Sequence, residues 1–161
     1  MEDLEKIFGQ RINGTTHYSS VFYPQIILNK KKETDITKMF AYIPARSGSK
    51  RILNKNIKKI GSKPVISYVI DNLKKLPFLK GIIVSTDSNE IKNICEKEGV
   101  FCSDLRKKNL SNDSANFIDL IKKDIPRYQE KFKKDNNLLF VLATAALVNR
   151  KTFEKAYKIY L

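Results

Sequence analysis

The stretch Phe40-Ala41-Tyr42-Ile43-Pro44-Ala45-Arg46-Ser47-Gly48-Ser49-Lys50-Arg51-Ile52-Leu53-Asn54-Lys55-Asn56 decides how the chain is read. It opens as a short apolar run, the pattern of a buried strand. The run stops at Pro44, and small residues follow: Ala45, Ser47, Gly48 and Ser49. Four cations, Arg46, Lys50, Arg51 and Lys55, are set among them. Small residues let a backbone approach a ligand closely, and a glycine reaches angles that other residues avoid. Successive N–H groups in such a loop form a concavity for anions. An arginine forks onto phosphate oxygens, and lysines add point charges. The expectation is a phosphate cradle at the C-terminal end of a strand, where open α/β sheets bind their ligands. Gly48-Ser49-Lys50 lacks the upstream glycine of a P-loop, and no G-x-G-x-x-G is present. The competing reading, in a lysine-rich chain, is a solvated basic surface loop.

Outward from this stretch, strand and helix patterns alternate. Residues 39–44 read as the first strand. Pro64 to Leu76 reads as a helix with Pro64 at its first position, with Val65, Tyr68, Val69, Asn72 and Leu76 near one face. Residues 81–85 form a second buried strand. Asp87 or Ser88 caps a helix that runs to about Glu98 and stops at Gly99; for Asp87 the capping role is favoured. Val100 to Cys102 is a short strand. Ser114 to Asp124 is helical with Phe117, Ile118 and Ile121 inward, Pro126 interrupts it, and Arg127 to Lys134 continues as a separate turn. Leu138 to Leu142 is another strand, and Lys151 to Leu161 an amphipathic helix carrying Phe153, Ala156, Tyr157 and Tyr160. Strands joined by helices predict an α/β fold with a parallel sheet wound on both faces. Residues 1–38 stand apart as an atypical leader, with weak strand character over 20–28 and a charged linker over 29–35.

Two cysteines, Cys95 and Cys102, and one histidine, His17, make no metal-ligand set. Cys95 shares a helical face with Ile91 and Ile94, so packing is its expected role. No apolar run is long enough for a membrane span, and Met1-Glu2-Asp3 is not the start of a secretory signal; a cytoplasmic protein without a membrane partner is expected. The net charge of +14 over 161 residues is spread along the chain and not gathered in one block. It favours an anionic small substrate over nucleic acid, for which no reading motif is present.

Ile43-Pro44-Ala45-Arg46-Ser47-Gly48-Ser49-Lys50-Arg51-Ile52 followed by Lys55-Asn56-Ile57 resembles the signature of the acylneuraminate cytidylyltransferases, the CMP-sialic acid synthetase relatives. The likeness continues through Gly61-Ser62-Lys63-Pro64-Val65-Ile66, Val84-Ser85-Thr86-Asp87-Ser88, Arg106 with Leu110-Ser111-Asn112-Asp113, and Leu142-Ala143-Thr144-Ala145-Ala146. Ala143-Thr144-Ala145 is nearer the pseudaminic acid branch than the Leu-Gln-Pro-Thr of many sialic acid enzymes, and Lys107 stands where proline is usual.

The resemblance implies a three-layer Rossmann-like nucleotidyltransferase fold over residues 39–161 and CMP transfer from CTP to an acidic nine-carbon sugar, for surface glycan synthesis. It implies catalytic roles for Arg46, Lys50 and Lys55. It places Ala45, Arg46, Ser47, Gly48, Ser49, Lys50, Lys55, Asn56, Ser85, Thr86, Asp87, Arg106 and Thr144 at the nucleotide, with Ser85 bonding the base. It further implies Mg²⁺ and a homodimer, with the metal-binding acids and the dimer element in a C-terminal half that this chain lacks. Asp113 and Asp119 are not assigned to replace those acids, and a truncated, inactive nucleotide-binding remnant is the alternative expectation.

Overall fold

The computed structural model describes residues 25–27, 39–49, 52–112, 115–128 and 137–161. The first 24 residues, the linker over 29–35, Lys50, Arg51, Asp113, Ser114 and the continuation from 129 to 134 lie outside them.

The central strand is β2 (Met39–Pro44); β1 (Gln25–Ile27) precedes it. Successive side chains of a strand point to opposite faces, and in β2 both faces are apolar: Met39, Ala41 and Ile43 enter one core, and Phe40 and Tyr42 the other. A small antiparallel pair, β3 (Lys59–Ile60) with β4 (Lys63–Pro64), leads into α1 (Val65–Lys74). Next come β5 (Leu79–Ser85), α2 (Asn89–Lys97) and β6 (Phe101–Cys102). A 3-10 turn spans Lys108–Leu110. The α-turn α3 (Phe117–Asp119) runs straight into a π-turn, Leu120–Asp124, and a 3-10 turn, Ile125–Tyr128. Strand β7 (Asn137–Phe140) and α4 (Arg150–Tyr160) follow.

The five-stranded sheet has the order β1-β7-β2-β5-β6. β2 is parallel to β5 and to β7, and β5 is parallel to β6. β1 lies antiparallel on β7, so part of the leader supplies an edge strand. The chain moves outward from β2 to β5 and β6, then returns to the other side of β2 with β7. Right-handed crossovers put helices on opposite faces when the direction of travel reverses. Accordingly Ile66, Val69, Ile70 and Leu73 of α1, Ile91 and Cys95 of α2 and Phe153 of α4 bury one face of the sheet. The turns from Phe117 to Tyr128 cover the other, against Tyr42, Ile83, Leu138 and Phe140. This is the expected doubly covered, mostly parallel α/β architecture.

Several expectations are corrected in detail. Pro64 is the residue before α1, not its first helical residue. The inward stripe of α1 is Ile66-Val69-Ile70-Leu73, with i, i+3, i+4, i+7 spacing. Tyr68 and Asn72 serve the rim instead: the Tyr68 hydroxyl donates to the Ile60 carbonyl at 2.6 Å, and Asn72 donates to the Val148 carbonyl at 3.0 Å. The helix expected from Ser114 starts at Phe117, because Asn116 and Asp119 form a reciprocal capping box there. Pro126 continues the turn as 3-10 helix rather than separating two segments, since a 3-10 start tolerates its missing N–H. Among the described residues no helix is long and apolar enough to cross a membrane.

Candidate functional site

β2 and β7 are neighbours at which the strand order reverses, since the chain leaves β2 for β5 and β6 and then crosses back to β7, and at such a switch point a crevice opens beyond the strand ends. A cleft of about 360 Å³ lies there, within the usual size of small-molecule sites. Its rim takes Arg46, Gly48 and Ser49 from the loop after β2, Lys55 and Asn56 from the following turns, and Ala143 and Thr144 from the loop after β7. Arg106 closes one side. Asn112, Asn116, Phe117 and Leu120 form the opposite wall, and Phe140 and Leu142 contribute apolar floor. Among the described residues the lining holds three cations, Arg46, Lys55 and Arg106, and no carboxylate. Such a surface attracts anions.

The loop after β2 is held by side chains, not by its own small residues. Ala45 is buried and its N–H donates to the Ser85 carbonyl at 2.8 Å. The Ser47 N–H donates to Asp87 Oδ1 at 2.7 Å, and the Ser47 hydroxyl to Asp87 Oδ2 at 3.0 Å. Asn56, buried, donates its amide to the Arg46 carbonyl at 2.8 Å. Asp87 therefore does not cap α2; Ser88 does, accepting from the Ile91 N–H at 3.4 Å. The Ser47 N–H is already engaged, so the cradle's charge comes from side chains more than from a run of amides. Gly48 does not use a left-handed backbone, and a Cβ there would meet open space. The residue with positive φ in this region is Asn54 (φ 51°), where the Ile57 and Lys58 N–H groups both return to its carbonyl.

Arg106 is only 4% exposed. Its N–H donates to the Thr86 carbonyl at 2.7 Å and its Nε to Ser111 Oγ at 3.0 Å, while Nη1 has no partner among the described residues. A buried guanidinium nitrogen without a partner is costly, and Arg106 carries this one in the lining of the cleft. Ser111 passes its own proton to the Lys107 carbonyl at 3.2 Å.

Of the predicted residues, the structure gathers Arg46, Gly48, Ser49, Lys55, Asn56, Arg106 and Thr144 around one cleft. Ala45, Ser47, Ser85, Thr86 and Asp87 are behind it, as its support. Thr86 accepts from the Ser88 N–H at 3.1 Å. The Ser85 hydroxyl, expected to face a base, is buried and donates to Asp124 at 2.5 Å. Lys50 lies outside the described residues.

Asp124 is the residue that sequence reasoning passed over. It also accepts from the Tyr42 hydroxyl and pairs with Arg127 Nη1 at 2.9 Å. Burial first, and then the Asp124 charge, push the Tyr42 hydroxyl well above the ordinary tyrosine range, so it remains a donor. The signal was an acid seven residues after Phe117 and four after Leu120, which pack inward with Ile125 where Ile118 and Ile121 were expected to.

Magnesium prefers oxygen ligands, usually carboxylates with water and phosphate. Among the described residues no three His, Cys, Asp or Glu side chains stand together to hold a metal. Asp87 is engaged by Ser47, Asp124 by three donors, and Asp119 by Lys123 and Asn116. These residues do not fit a magnesium site, and no step below runs through the ion.

The fold and cleft define an α/β protein with a cationic crevice at the switch point of its sheet. Residues 40–156 match the family model described as cytidylyltransferase; the chain belongs to that family. It is 34% identical over 124 residues to the pseudaminic acid cytidylyltransferase of Campylobacter jejuni, covering 77% of this chain and 53% of that protein. It is 36% identical over 94 residues to the N-acylneuraminate cytidylyltransferase of Escherichia coli, covering 58% of this chain and 22% of the relative. Thus the chain spans about half the length of the pseudaminic acid relative. Among solved structures, a CMP:2-keto-3-deoxy-manno-octonic acid synthetase complexed with CTP matches with a TM-score of 0.57 at 19% identity, over 75% of this chain and 46% of the other. A cytidylyltransferase from Leptospira borgpetersenii matches with a TM-score of 0.58 at 22% identity, over 75% and 48%. At these identities the likeness speaks for the fold.

Proposed function

We propose that the cleft binds the triphosphate of CTP and that the protein transfers CMP to a nonulosonic acid of the pseudaminic or sialic type. The observation that carries this is the union of Arg46, Lys55 and Arg106, without a carboxylate among the described residues, around one crevice at the β2–β7 switch point. The names of the relatives supply the nucleotide and the class of sugar.

In this reading a hydroxyl of the sugar acid attacks the α-phosphorus. A new P–O bond forms as the bond to the bridging oxygen breaks, the attacking hydroxyl gives up its proton to solvent, and pyrophosphate leaves with the electron pair of the broken bond. Arg46 and Lys55 offset charge on the β- and γ-phosphates, Lys50 is assigned the same task, and Ser49 donates a hydroxyl. The Nη1 of Arg106 meets an acceptor on the nucleotide. Asp87 and Asn56 hold the loop so that the cations are in place before the ligand arrives, and such preorganisation is a large part of transition-state stabilisation. Thr144, in the lining of the same cleft, adds a hydroxyl for the nucleotide. A cytoplasmic site of action goes with this reading.

The test is isothermal titration of CTP, ATP, GTP and UTP into wild type and Lys50→Ala, with pyrophosphate release measured in Mg²⁺ with pseudaminic, legionaminic and N-acetylneuraminic acids. CTP preference, weakened by Lys50→Ala, is expected. Where release occurs, Lys50→Ala should slow it by about 10²–10³. Binding without release leaves a nucleotide-binding role; no binding of any triphosphate removes the reading.

A further inference from the structure

Asp124 has no exposed surface. One carboxylate oxygen, Oδ2, accepts from two hydroxyls on two strands, Tyr42 of β2 and Ser85 of β5. The other, Oδ1, takes Arg127 Nη1, and Arg127 Nη2 reaches on to the Asp104 carbonyl at 3.1 Å. The acid closes the π-turn Leu120–Asp124, in which the Ile125 N–H returns to the Leu120 carbonyl. Single π-turns are uncommon and recur at functional sites, because they re-aim the residues that follow. Here the widened turn keeps Leu120 at the cleft and brings Asp124 beneath it.

The segment that Asp124 ends is the cleft wall: Asn116, Phe117 and Leu120 face the crevice, and the Phe117 ring packs edge-on against Phe140 at 4.3 Å. Of the strands that Asp124 grips, β2 carries the cationic loop and β5 leads into the residues that brace it. Tyr42 is two residues before Pro44. Ser85 accepts the Ala45 N–H on its carbonyl and immediately precedes Thr86, whose carbonyl holds Arg106, and Asp87, which holds Ser47.

We propose that Asp124 is a positioning residue: it fixes the wall from Asn116 to Leu120 at a set distance from the Arg46–Lys55 rim, and through that spacing it sets the affinity for CTP. This rests on the nucleotide reading above. A purely structural buried pair behaves differently, since its loss loosens the fold as a whole.

Hydrogen exchange of the ligand-free protein and CTP titration are measured on Asp124→Asn, Ser85→Ala and Tyr42→Phe. In Asp124→Asn the amides of 117–128 should exchange about tenfold faster or more, those of α1 and β2 should be unchanged, and the CTP Kd should rise about tenfold. Ser85→Ala and Tyr42→Phe should reproduce a smaller part of both changes. Ser85→Ala added to Asp124→Asn should cost less than the sum, because both act on the same hydrogen bond. Unchanged exchange at 117–128, equal acceleration in every element, or a loosened wall with an unaltered Kd each overturns the proposal. If Asp124→Asn fails to fold, the two hydroxyl deletions carry the same readouts. A wild-type chain that binds no CTP overturns the nucleotide reading, and the exchange pattern still decides whether Asp124 holds the wall.

Discussion

Replacing Arg106 with methionine separates a ligand-binding guanidinium from a structural one. The side chain is 4% exposed, is tied through Nε to Ser111 at 3.0 Å, and keeps Nη1 without a partner among the described residues. In the ligand-free protein that unsatisfied donor is unfavourable by about 1–3 kcal/mol. Methionine has similar length and no charge, so it removes that penalty. The Arg106 N–H keeps its bond to Thr86, and Ser111 still donates to Lys107. Unfolding free energy without nucleotide should therefore stay level or rise. Binding should move the other way. A hydrogen bond to a charged group contributes about 1.5–3 kcal/mol, and each 1.4 kcal/mol is tenfold in Kd. CTP should bind about 10- to 150-fold more weakly. Arg106→Lys, which keeps the charge without the fork, should recover part of the loss. Isothermal titration gives the Kd, and urea unfolding of the free protein gives the stability. An unchanged Kd together with a stability loss above about 1 kcal/mol would refute the reasoning, because the guanidinium would then be a strut.

Two further outcomes follow from the same geometry. Asp87→Ala frees the Ser47 N–H and hydroxyl and should weaken CTP binding by about tenfold without a change in α2, whereas Ser88→Ala should lower stability by about 1 kcal/mol and leave CTP binding alone; the reverse pattern in titration and urea unfolding would restore Asp87 as the cap. Burial pushes the Cys95 thiol up to about 12 and the Cys102 thiol up to about 11, from 9.0. Above pH 9 the folded chain thus holds protons that the unfolded chain releases, so this contribution is complete below pH 9 and is lost as pH rises toward 12. Urea unfolding should show stability falling over that window, less steeply in Cys95→Ala. Rapid alkylation of native Cys95 at pH 8 would contradict the burial on which this rests.

What the sequence by itself determined is the part governed by short-range pattern. Met39 to Pro44 and Leu79 to Ser85 carry apolar side chains on both faces, which only a doubly covered strand can bury. The abrupt change at Pro44 to small residues and cations located the cleft's rim. The Ile66-Val69-Ile70-Leu73 stripe was equally present in the residues, yet choosing it over Val65-Tyr68-Asn72 needed the sheet that it packs on. Tertiary structure alone decided which partners meet. Asp87 and Ser47 are 40 residues apart, and Tyr42 and Asp124 are 82; local spacing says nothing about either pair. Both follow from the strand order β7-β2-β5-β6, which brings the ends of separate strands to one rim. The same order turned Asp124 from an unremarked helix acid into the anchor of a cleft wall, and left one nitrogen of Arg106, a residue lining that cleft, buried without a partner among the described residues.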